Sequence, residues 1–69
     1  MSPQEFRTIR RALGLSAEGC ARVLGVSAGR TIRRWEAGSR EIPGPVLRLM
    51  HLLNRGWVEP GDLEAMAED

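Results

Sequence analysis

The 69-residue sequence contains no lysine and no tyrosine, and only one cysteine, one histidine and one phenylalanine. Each shortage excludes something. Cys20, being alone, can form no intramolecular disulfide and no zinc-binding cluster, and it suits a reducing compartment. His51 has no cysteine or carboxylate pattern around it, so no metal is expected. No apolar run approaches the ~20 residues that span a bilayer, and the N-terminus lacks a charged region followed by a long apolar stretch. The expectation is a cytoplasmic protein without membrane contact. The glycines are scattered rather than gathered into a phosphate-cradling loop, and no acids or metal ligands pair at useful spacing. No catalytic residue and no cofactor are therefore expected, and the protein is not read as an enzyme. Ser2, Ser16 and Ser27 read as helix caps, not nucleophiles.

What is present is arginine, unevenly placed. All ten basic residues are arginine. Residues 1 to 40 hold eight of them against three glutamates, a balance of +5; residues 41 to 69 hold two against six acids, a balance of −4. The first half therefore suits an anionic partner, and the second is an acidic tail. Arginine makes planar, two-pronged contacts to phosphate and guanine that lysine cannot match, although GC-rich coding would also favour it.

The hydrophobic spacing is helical almost throughout. Ser2-Pro3-Gln4-Glu5 is a capping box, and Phe6, Ile9 and Leu13 follow until Gly14, predicting a first helix over about 3 to 13. Ser16 caps a second, about 17 to 24, with Cys20, Ala21 and Leu24 inward and Gly25 as its stop. A third runs over about 29 to 37, opened by Ser27 or Gly29, with Ile32 and Trp35 inward and Arg30, Arg33 and Arg34 outside or at its edge. After the proline-bearing loop 38 to 45 comes a fourth, about 45 to 54, apolar on more than one side. Its surplus side, with Leu52, Leu53 and the following Trp57, is a candidate partner or dimer surface. Trp57 would be either that contact or a lid on the core. The acidic segment 57 to 69 can form one short helix from Pro60, with Leu63 and Met66 three apart. The fold expected is one all-α domain of four to five short helices. A chain of this length buries only about 60% of its unfolded surface, which favours oligomerisation.

Two short helices joined at a glycine, the second bearing arginines, make a helix-turn-helix pattern over about 17 to 37. The stretches RRALGLS (10–16), ARVLGVS (21–27), TIRRWEAG (31–38) and IPGPVLRLM (42–50) resemble the Cro and phage-repressor type of helix-turn-helix domain, the XRE family, over roughly residues 4 to 55. The resemblance implies a lambda-repressor-like bundle whose third helix enters the major groove of double-stranded DNA. It implies base contacts from Arg30, Thr31, Arg33 and Arg34, and backbone contacts near Ser16, Ala17, Ser27 and Arg40. It also implies an ion pair between Arg10 and Glu36 that ties the first helix to the third. The function implied is a transcriptional regulator, a homodimer that occludes a pseudo-palindromic operator, such as a phage or prophage regulator or an antitoxin-like autorepressor. The rival is a protein-interaction module of the same fold, docking a partner through the fourth helix or the acidic tail. There are two departures from the family. SAGR is one residue longer than the usual spacing from Gly25 to Ile32, leaving the start of the third helix open, and Ala17 replaces a frequent glutamine.

Overall fold

Glu5 donates its backbone N–H to the Ser2 hydroxyl at 3.1 Å, and the Ser2 N–H returns a bond to the Glu5 carboxylate at 3.1 Å. This reciprocal cap, with Pro3 in the first turn, starts α1 (Pro3–Ala12). The computed structural model describes residues 1–66. Four helices follow: α2 (Ala17–Leu24), α3 (Gly29–Glu36), α4 (Gly44–Asn54) and α5 (Pro60–Met66). No strand occurs among the described residues, and the fold is an all-α bundle. The expected acidic tail is in part α5; its residues 67–69 lie outside the described residues.

The helix ends share one device. Gly25 follows α2 with a φ of +74°, a conformation that an L side chain rarely adopts. The chain then folds back so that the Val26 N–H reaches the Ala21 carbonyl at 2.9 Å. The same i to i+5 closure recurs from Leu15 to Arg10 after α1, from Ser39 to Arg34 after α3 and from Trp57 to Leu52 after α4. The helices therefore stop one or two residues short of their glycines.

α2 packs most extensively against α3 and also meets α5, while α1 lies on α3 and α4. The core is Phe6 from α1, Ala17, Cys20, Ala21 and Val23 from α2, Ile32 and Trp35 from α3, Ile42 before α4, and Val46, Met50 and Leu53 within it. Phe6 meets Trp35 edge to face, ring centres 5.9 Å apart at 76°. The radius of gyration, 11.0 Å, equals the value of about 11 Å that a compact chain of this length should have.

Three sequence expectations need correction. Leu53 is not a surface residue: with 3% exposure it is in the core, because Val46, Met50 and Leu53 fall on the inward stripe of α4 at spacings of four and three. Leu52, half-buried, remains on the rim. Trp57 is no lid, since 72% of it is exposed, with the Arg55 guanidinium 5.7 Å above its ring. Ser27 does not open α3. The cap residue is Ala28, which has no side chain to bond the helix start.

Candidate nucleic-acid interface

α3 presents its arginines by simple geometry. At about 100° per residue, turning Gly29, Ile32 and Trp35 inward, where all three are buried, points Arg30 and Arg34 directly away. Arg33 and Thr31 then fall on opposite flanks. Arg30 and Arg33 are exposed; Arg34 and Thr31 are half-buried. α3 begins at Gly29, after the turn 25–28, so Arg30, Thr31, Arg33 and Arg34 lie in one continuous helical register with Ile32.

Gly29 makes this placement sterically feasible. A β-carbon there would lie 3.0 Å from the Glu18 backbone nitrogen and 2.5 Å from its carboxylate. The start of α3 therefore rests directly on the first turn of α2. Across that contact the Glu18 carboxylate accepts a hydrogen bond from the Arg33 guanidinium, both groups being exposed. The Glu18 pKa is lowered, first by its own backbone N–H at the start of α2 and then by Arg33. Arg33 thus has an acid partner on α2, whereas among the described residues Arg30 and Arg34 have none.

A second ion pair sets α3 against α1. Arg10 Nε donates to Glu36 Oε2 at 2.6 Å and Nη2 to Glu36 Oε1 at 3.0 Å, a two-pronged pair with side-chain exposures of only 12% and 9%. Arg10 Nη1 also donates to the Leu15 carbonyl at 2.9 Å, holding the α1–α2 connection. The Arg10 pKa is raised, chiefly by its hydrogen bonds to Glu36.

The structure sorts the remaining sequence candidates into separate places. Ser16 caps α2 by accepting from the Gly19 N–H at 2.9 Å. Ala17 offers no side chain to a ligand, since its methyl is 7% exposed and belongs to the core; what it leaves is a backbone N–H in the first turn of α2. Ser16, Ala17, Arg33, Arg10 and Glu36 line one groove, and Ser27, Arg30, Arg33 and Glu18 another across the α2–α3 turn. Arg40 lies in a third groove with Met1 and Pro3. Sequence reasoning passed over Glu18, Arg22 and Arg7, all of which line these grooves. Only the seating of α1 and α2 on α3 brings them beside the others.

Chemically, the exposed face of α3 offers guanidinium donors and no acid other than the paired Glu18 and Glu36. Guanidinium donors of this kind can bind phosphate or the acceptor edge of guanine. Among the described residues no cluster of histidine, cysteine or acid can hold a metal ion, and no helix is long and apolar enough to cross a membrane. A scan against protein-family models finds no match to the chain, and no curated protein matches it.

Proposed function

We propose that this protein is a sequence-specific, double-stranded-DNA-binding transcriptional regulator, acting as a homodimer on a pseudo-palindromic operator and repressing by occlusion. The observation that carries the reading is the outward pairing of Arg30 and Arg34 on a helix seated against α2 at Gly29. The resemblance of four sequence stretches to the Cro and phage-repressor type supports it. In this reading α3 lies in the major groove, Arg30 and Arg34 read bases, and Thr31 lies at the edge of the reading surface. Arg33, held by Glu18, faces the flanking backbone. The first turn of α2, with Ser16 and the Ala17 N–H, and the loop residue Arg40 meet phosphates. A two-pronged arginine–guanine pair contributes about 1–3 kcal/mol of discrimination, so two per half-site suffice for a distinct preference.

Exposed Trp57 and Met66 favour a second reading, a protein-interaction module that uses the α4–α5 end. That reading gives no role to Arg30 and Arg34, and it ranks second for this reason.

The deciding experiment is selection of binding sites from a random duplex pool at about 0.15 M salt. The expected product is an inverted repeat with guanines in each half-site, half-site centres about 10 base pairs apart or a multiple of that. A folded protein that enriches nothing overturns the reading in favour of the interaction module. On the selected site, Arg34→Ala should relax preference at one position per half-site, whereas Arg40→Ala should weaken all sequences equally. Equal losses on operator and scrambled DNA for both variants would refute the base-reading assignment.

A further inference from the structure

The groove beside the first turn of α2 does not end there. Arg7 lines it together with Ser16, Ala17 and Arg33. Arg7 also lines a second groove with Gln4, Thr8 and Arg11 on the outer side of α1, and Glu36 borders both. A continuous basic track therefore runs from α3, past the start of α2, onto α1. We propose that Arg7 and Arg11 bind DNA backbone phosphates beyond the segment that α3 reads, lengthening the footprint at the outer end of each half-site. This rests on the DNA-binding reading above.

Arg10 and Arg33 on this track are paired, to Glu36 and Glu18, and the charges at its α1 end are the ones free to act. Glu36, the acid bordering both grooves, is occupied by the two-pronged Arg10. Glu5, on the same helix, is folded back onto Ser2. The Thr8 hydroxyl donates to the Gln4 carbonyl at 3.0 Å and leaves the two arginines alone. Arg7 and Arg11 are exposed, and among the described residues neither makes an ion pair. A solvated helix face is the bland account of two such residues. It explains Arg11, in the last turn of α1, where a cation complements the helix dipole. It gives no reason for Arg7, a turn earlier, where like charges four apart oppose the helix. A shared anionic ligand accounts for both. Their stems are about 6 Å apart along the axis, while one DNA strand carries a phosphate every ~3.4 Å of rise, so the two can engage separate phosphates of one strand.

The test uses the full chain, the selected operator duplex and a scrambled duplex. Arg7→Gln/Arg11→Gln should weaken both duplexes by the same factor and leave their ratio unchanged. The dependence of log affinity on log salt should become shallower by about 1.8 per protomer, or about 3.6 for the dimer on its operator, so that over a fourfold rise in salt the dimeric variant loses about 150-fold less affinity than the parent. Phosphate-ethylation interference should vanish at the outermost phosphates only. Arg7→Lys/Arg11→Lys should keep both the slope and the interference. If the parent binds its operator but the Gln variant shows an unchanged slope and interference pattern, α1 is a solvated face and the proposal is wrong. If the parent enriches no site, the DNA-binding reading itself fails and takes this proposal with it.

Discussion

Arg10 and Glu36 form the buried polar contact that ties α1 to α3. An exposed ion pair contributes little, ~0–1 kcal/mol, but this one is about nine-tenths buried, geometrically matched and reinforced by the Leu15 carbonyl. Removing one partner strands the other away from water. Arg10→Ala and Glu36→Ala should each cost about 3 kcal/mol in urea unfolding. The double variant should cost clearly less than the two together; additive losses would mean the two groups are not coupled. Cys20 offers a second test, made clean by what the sequence lacks. Burial pushes its thiol up to about 11 from an ordinary 9.0. Above pH 9 the unfolded chain gives up this proton while the folded chain keeps it, so stability should fall as pH rises from 9 towards 11. No lysine or tyrosine titrates in that window. Cys20→Ala should therefore abolish the slope, and a slope that persists would place its origin elsewhere. At neutral pH, alkylation of Cys20 should wait on opening of the fold.

Among the elements, the starts of α3 and α4 are the weakly built ones, since neither Ala28 nor Pro43 offers a side-chain acceptor to the helix start. α1 and α2 begin with a serine that bonds the helix start, whereas α3 begins at Ala28, in extended backbone with no acceptor. Ala28→Ser should raise stability by about 1 kcal/mol, read as a higher urea midpoint with an unchanged slope. No gain would mean that the first N–H groups of α3 are already satisfied by water or by Glu18. The same comparison shows what was legible in the sequence. Every helix stop could be read, because each of α1 to α4 ends on a glycine whose local bonds need no tertiary help. The sequence places the start of α3 at about residue 29, where it lies, yet leaves Ser27 and Gly29 both open as its opening residue; the packing of Gly29 on Glu18, eleven positions earlier in the chain, favours Gly29. Leu52 and Leu53 look alike in a sequence, and only the inward stripe set by Val46 and Met50 separates them. Arg10 and Glu36 were reached through a family resemblance, since 26 positions of separation carry no local signal. Arg7 reads as part of an ordinary solvated face until the start of α2 is laid beside it, and Arg11 joins it through the groove on the outer side of α1.

At the scale of the whole molecule, the proposed operator-binding function would need a second copy. One small module buries only about 600–1,000 Å² on DNA and should bind weakly alone. The single chain leaves Trp57 and Met66 exposed and Leu52 half-buried at the α4–α5 end. Exposed tryptophan is the residue type most enriched where interfaces draw their energy. These residues are apart from Arg30 and Arg34, which sit on α3, so one surface can pair protomers while another meets the groove. Leu52→Glu combined with Trp57→Ala should leave helicity and the unfolding midpoint nearly unchanged, because neither side chain belongs to the core. Light scattering should then report a monomer at concentrations where the parent is a dimer. Affinity for the inverted repeat should drop at least 100-fold, since the second half-site no longer gains from the first, while affinity for an isolated half-site stays the same. A variant that remains dimeric would move the interface off α4. A variant that becomes monomeric yet binds the full repeat as tightly as the parent would show that the half-sites are read independently, and operator occlusion would then depend on concentration alone.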